Sequence, residues 1–333
     1  MAGQGAHILA PEGLSLSASE RAFFAQADPW GFIVFARNIA HPEQLRRLTG
    51  ELREAVGRDA PILIDQEGGR VQRLGPPYWR AWLPPLDQVR QAGEGAARSM
   101  YLRGRLIAEE LRDVGIDVNC APLSDVACDL THPFLKNRCY GDTPEAVIAA
   151  SRAITDGMAA GGVLPVLKHI PGHGRGEVDS HLGLPVVEAS REELEAVDFA
   201  PFRALNDLPL GMTAHITYAA LDDRPATQSS YVIRLIRDRI GFDGLLMTDD
   251  ISMEALGGSI AERSRLSLDA GCDVILHCNG EMAEMEAVVA EAGRMTPRAQ
   301  ARADRALAAR AAAQPFDAAE AEAELAALLE GGA

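Results

Sequence analysis

The chain is short of several things, and each shortage removes a class of function. It has only five cysteines, Cys120, Cys128, Cys139, Cys272 and Cys278. The number is odd and no two form a CxxC pair, which argues against a disulfide framework and against a cysteine zinc site. No apolar run approaches the roughly eighteen residues of a membrane span. The first residues, MAGQGAHILAPEG, have neither the basic start nor the apolar stretch of a secretory signal. Basic residues are in deficit: 32 Lys and Arg stand against 48 Asp and Glu, a formal net charge of −16. Phosphate contact needs clustered cations, so nucleic acid is excluded as a partner, and an anionic membrane surface fits as poorly. The reading is a cytoplasmic protein, monomeric, with neither nucleic acid nor membrane as partner.

What is present is a core-forming chain of 333 residues, 47% hydrophobic. Eight short apolar runs recur along it: AHILA (6–10), GFIVFARN (31–38), PILIDQE (61–67), IDVNCAPL (116–123), GVLPVLKH (162–169), LGMTAHI (210–216), GLLMTDD (244–250) and CDVILHC (272–278). Several are continuously apolar and β-branched, as parallel strands buried on both faces must be. Helical spacing fills the gaps, over 42–56, 96–114, 144–160, 190–205, 229–240 and 261–270. Eight strands alternating with helices predict a single closed (β/α)8 TIM barrel. An open doubly wound sheet is the alternative, but the glycine-rich turn it needs after its first strand is absent. No linker or repeat divides the chain. It reads as one catalytic domain, 1–333, in which 296–333 forms C-terminal surface helices broken near Pro315.

In such a barrel the reactive face is the C-terminal end of the strands. Unusual polar residues fall there repeatedly: Asp65, Lys168, His169, His215, Asp249 and Asp250, with Asn38, Asp125 and His277 in comparable places. Convergence from several strands predicts a pocket.

The stretch KHIPGHGRGEVDSH (168–181) ends the fifth strand and forms the loop after it. Its glycines and Pro171 allow backbone shapes that other residues resist. Asp179 and His181 stand two apart, an arrangement that can orient an imidazole and stabilise its protonated form. On paper His169, His173, Asp179 and His181 could also hold zinc, but the spacing matches no usual zinc pattern. Glycines with Lys168 could cradle phosphate, although GxxxxGK[ST] is missing.

Four stretches together carry a resemblance. IDQEGGRVQRL (64–74), KHIPGHGRGEVDSH (168–181), GLLMTDDISMEAL (244–256) and GFIVFARN (31–38) resemble glycoside hydrolase family 3, in particular its single-domain bacterial β-N-acetylglucosaminidases of peptidoglycan recycling. The similarity runs from about residue 6 to 280. It implies Asp249 as nucleophile, His181 as general acid/base and Asp179 as the residue that orients it. It implies Asp65, Arg73, Lys168 and His169 as the residues that hold N-acetylglucosamine, with Arg138 as a further binding arginine. At Arg138 the context is looser, because Cys139 stands where family members usually have Ser. The implied reaction removes terminal β-1,4-linked N-acetylglucosamine from GlcNAc-anhydroMurNAc and its peptides, by double displacement and without metal or organic cofactor.

An imidazole in place of the second carboxylate of a retaining glycosidase is coherent, since it titrates near neutral pH and can both give and take a proton. Three other functions stay in view: a phosphorylase using the same Asp and His, a metal-dependent hydrolase barrel, and a silent sugar-binding protein. For several residues a structural role is the expectation. Asp250 is read as a helix cap, His173 as bonding its loop to itself, Glu67 as a structural hydrogen-bond partner, and His7, His41 and His132 as surface or loop residues. His215 is either pocket wall or satisfied core. Trp79, Trp82 and Tyr218 either shape outer subsites or pack.

Overall fold

The computed structural model describes residues 3–177 and 183–331. Its centre is a closed barrel of eight parallel strands: β1 (Gly5–Leu9), β2 (Pro29–Val34), β3 (Ile62–Ile64), β4 (Val118–Asn119), β5 (Leu164–Ile170), β6 (Leu210–Thr213), β7 (Leu245–Asp250) and β8 (Val274–Leu276). Each pairs with its sequence neighbours, and β8 closes on β1 with His7 opposite Ile275. Each strand overlaps one of the eight apolar runs, although those at Gly5–Leu9, Pro29–Val34 and Leu164–Ile170 reach one or two residues beyond theirs.

The runs become strands because both of their faces are covered. Ile8, Phe32, Ile64, Val118, Val166, Leu210, Leu245 and Val274 are all buried, one from each strand. The covering helices begin where the chain supplies caps. Ser17 and Ser259 form capping boxes with Glu20 and Glu262, and Thr143 caps Pro144–Ala160. His41 accepts from the Gln44 N–H at the start of Pro42–Val56, so it is a helix cap rather than a loose loop residue. The helices Ala96–Asp113 and Pro144–Ala160 pack very closely. A Cβ on Gly104 or Gly157 would lie 2.3 Å from the Ile154 carbonyl or 2.2 Å from that of Tyr101.

Three details depart from the sequence reading. The run 61–67 does not continue as one strand. It breaks at Asp65 into a hairpin of Gln66–Gly68 with Val71–Gln72, which folds back over the barrel mouth. The predicted helix 190–205 is interrupted by a wider turn over Leu194–Asp198, just before Pro201. His7 is not a surface residue. It lies in β1, fully buried, with neither ring nitrogen partnered among the described residues, and burial pushes it down to about 4.

Beyond residue 296 the chain forms the helices Pro297–Ala308 and Ala318–Gly331. Their charges are not all solvated. Arg302 is buried and pairs with Asp273 at 3.0 Å, and Arg310 bonds the fully buried Asp117.

Candidate active site

Five charged side chains meet at the C-terminal mouth of the barrel. Asp65 follows β3, and Lys168 comes from β5. Glu67 and Arg73 come from the hairpin and its exit, and Arg138 follows the short helix Pro133–Lys136. Lys168 Nζ stands 3.1 Å from Asp65 Oδ1 and 2.6 Å from Glu67 Oε1. Arg73 reaches the other Asp65 oxygen at 3.1 Å. Arg138 grips Glu67 with two parallel bonds of 2.9 Å each. The carboxylates therefore alternate with the cations, and each holds its neighbours in place.

Burial on its own would raise both carboxyls. Lys168 and Arg73 overcome it at Asp65, which is held far below the usual range. Arg138 and Lys168 overcome it at Glu67, which falls to about 2. Burial likewise opposes the charge on Lys168, but Glu67 and Asp65 hold its ammonium on well above its ordinary value. At neutral pH the floor of the site is a fixed set of charged donors and acceptors. Glu67, fully buried, is the hub of this set and the structural partner that its position implied.

Asp249 lines the same cavity from the end of β7. Burial would raise its carboxyl, yet His169, His215 and the Asp250 backbone N–H hold it low, so it is ionised at neutral pH. That N–H donates to Asp249 Oδ1 at 2.8 Å. His169 presents Nε2 at 4.0 Å from Asp249 Oδ2 and places Nδ1 at 2.8 Å from Asp125 Oδ2. The peptide bonds Lys168–His169 and Ile170–Pro171 are cis. Asp125 is fully buried and also accepts the His173 backbone N–H at 2.6 Å.

The other candidates separate cleanly. His215 is a satisfied core histidine, bonded to Thr227 at 2.8 Å and to the Asp250 carbonyl at 3.0 Å. Asp250 caps a turn rather than a helix, accepting from the Ser252 backbone and hydroxyl and from the Cys278 N–H. The ring of His173 does not bond its loop among the described residues. It stands edge-on to His169, and burial, then the nearby His169, lowers it to about 4. Asn38 ties its side chain to backbone, and His277 pairs with Glu284 at 2.9 Å. Tyr218 is buried and donates to the Gly172 carbonyl, while Trp79 and Trp82 are mostly covered. His132 caps the short helix and reaches the cavity wall.

Between these walls lies a cavity of about 560 Å³. Asp65, Arg73, Arg138, Lys168, His169 and Asp249 all line it. Asp179 and His181 lie outside the described residues. Among the described residues no group of three His, Cys, Asp or Glu has the geometry to hold a metal ion. Asp125, placed at the mouth by its strand-end position, proves to be the partner of His169. Its position signals the mouth of the barrel, but nothing in the sequence pairs it with His169 rather than with another histidine.

A cavity at the strand ends, floored by paired charges and walled by the ionised Asp249, is where a barrel enzyme holds its substrate. The sequence pattern of the glycosyl hydrolase family 3 N terminal domain matches residues 6–309. The chain belongs to glycosyl hydrolase family 3. It is 41% identical over 273 residues to the β-hexosaminidase of Methylococcus capsulatus, covering 80% of each chain. It is 39% identical over 262 residues to that of Neisseria gonorrhoeae, covering 75% of this chain and 71% of the relative. Among solved structures, NagZ from Neisseria gonorrhoeae in complex with N-trifluoroacetyl-D-glucosamine superimposes with a TM-score of 0.86 at 32% identity. The match covers 98% of this chain and 99% of that one.

Proposed function

We propose that this glycoside hydrolase is a retaining exo-β-N-acetylglucosaminidase that releases terminal N-acetylglucosamine from GlcNAc-anhydroMurNAc and its peptides. Asp65, Arg73, Lys168, His169 and Arg138 hold the sugar. Asp249 attacks the anomeric carbon, and the glycosidic C–O bond breaks as His181 gives its proton to the leaving oxygen. Water then attacks the glycosyl ester, His181 takes a proton from it, and Asp249 leaves as carboxylate. Asp179 orients His181 through both halves. The enzyme works as a cytoplasmic monomer, which light scattering and cell fractionation test.

The observation that carries this reading is Asp249, ionised and facing the charged floor across a cavity of monosaccharide scale. Support also comes from the β-hexosaminidase relatives and from the N-acylglucosamine bound in a NagZ neighbour. Trapping with an activated 2-fluoro-sugar, followed by peptide mass mapping, should label the peptide bearing Asp249. A label on another carboxylate, or product of inverted configuration, refutes it. Running the assay with and without phosphate separates hydrolysis from phosphorolysis, because only the latter yields a sugar 1-phosphate.

A further inference from the structure

Four cations line the cavity, and three of them are committed. Arg73, Lys168 and Arg138 are each in ion pairs with Asp65 or Glu67. The fourth, Arg70, is exposed and has no carboxylate partner among the described residues. Its guanidinium carbon lies 3.9 Å from the centre of the Phe134 ring, a cation–π contact that leaves the N–H edge of the fork available.

The backbone that presents Arg70 is well anchored. Arg70 forms the hairpin turn with Gly69, which has φ +60° and donates its N–H to the Trp82 carbonyl at 3.0 Å. A Cβ at Gly69 would sit 2.8 Å from Pro84, so the tip is pinned against its neighbour. Arg70 is therefore held at the rim by a braced turn on one side and an aromatic face on the other.

Its position says which half of a substrate it would meet. In an exo-acting enzyme the terminal sugar fills the closed floor and the leaving group points out through the mouth. Phe134 lies in the short helix Pro133–Lys136 and lines the cavity together with Arg70. Arg70, exposed and lining that mouth, lies on the side through which the leaving group emerges. The chain as a whole, at −16, repels anions. A free guanidinium at the mouth offsets that repulsion locally and offers a planar fork that matches a carboxylate.

Resting on the glycosidase reading, we propose that Arg70 is a specificity residue that binds a carboxylate on the leaving-group side. The enzyme then favours acidic aglycones. The carboxylate has two possible sources with shared chemistry: the lactyl ether acid of the anhydro-sugar and the acids of its stem peptide.

The test compares wild type with Arg70→Ala on four substrates: GlcNAc-anhydroMurNAc, the same disaccharide with its lactyl acid converted to the methylamide, the peptide-bearing disaccharide, and a neutral aryl N-acetylglucosaminide. Wild type should prefer an acid-bearing substrate over the methylamide. Arg70→Ala should lose about ten-fold in kcat/KM, mainly through KM, on an acid-bearing substrate alone. Loss confined to the free disaccharide assigns the lactyl acid, and loss confined to the peptide substrate assigns the stem peptide. No acid preference in wild type, or an equal loss on the acid and its methylamide, overturns the proposal. If wild type fails to cleave even the neutral aryl sugar, the glycosidase reading itself fails and takes this one with it.

Discussion

His169 bridges two carboxylates: Asp125 lies 2.8 Å from its Nδ1, and Asp249 lies 4.0 Å from its Nε2. The buried Asp125 selects the tautomer and fixes the ring plane, so the face turned to Asp249 and the sugar is constant. Asp125→Asn keeps an acceptor for Nδ1–H but removes the charge, whereas Asp125→Ala removes both. We expect kcat to fall about ten-fold for Asn and about a hundred-fold for Ala, with thermal unfolding as the control for folding. Equal losses in the two variants would show that ring orientation is irrelevant.

Glu67 makes a second prediction, about stability. It neutralises Arg138 and Lys168 inside a nearly sealed floor. Glu67→Gln leaves both cations with one anion fewer, and removing one partner of a buried pair costs about 3–5 kcal/mol. The guanidinium unfolding midpoint should drop accordingly. A loss under about 1 kcal/mol would mean that water already screens the cluster.

These two residues show where sequence reading succeeds and where it stops. The eight strands were legible because parallel strands buried on both faces leave continuous apolar runs. Asp65, Lys168, His169 and Asp249 were legible because strand ends of a barrel face one mouth. Asp125 was legible only as a residue of the mouth, because a lone Asp after a strand says nothing about which histidine it meets. The break at Asp65 was hidden because Gln66–Gly68 continues in extended form after the barrel strand has ended. His7 misled because a polar residue near the start of the chain looks exposed until β8 closes over it. The chain has only two lysines, Lys136 and Lys168, amid many arginines. Lys168 sets a compact ammonium between the carboxylates of Asp65 and Glu67.

The buried histidine and the floor carboxylate set opposite ends of the acid-stability curve. His7 is lowered from 6.5 to about 4, so between those values the unfolded chain binds a proton that the fold refuses. Stability must fall as pH drops from 6.5 towards 4. Glu67 is lowered from 4.5 to about 2, so its contribution is intact above 4.5 and lost as pH falls towards 2. His7→Leu, remote from the cavity, should remove about 2 kcal/mol of the loss between pH 7 and pH 5. Across that range the gap between the melting temperatures of wild type and variant should change by the equivalent of this loss. Parallel curves would show that His7 is not the group refusing the proton.

The nucleophile role proposed for Asp249 gives the sharpest prediction, because a nucleophile can be replaced from solution. Asp249→Ala removes the carboxylate but leaves the floor of Asp65, Lys168 and Arg73 intact, since none of these depends on it for an ion pair. Sugar binding should survive while turnover of an aryl N-acetylglucosaminide falls by about a thousand-fold or more. Azide can then enter the space left by the carboxylate and attack the same face of the anomeric carbon. The product is an α-glycosyl azide, of opposite configuration to the substrate. A His181→Ala variant should behave in the reverse way. Its Asp249 still forms the ester from a substrate with a good leaving group, and azide entering from the opposite face then gives a β-glycosyl azide. Nuclear magnetic resonance of the anomeric proton distinguishes the two. If azide rescues neither variant, or if both give the same anomer, Asp249 and His181 do not divide the work as nucleophile and acid/base.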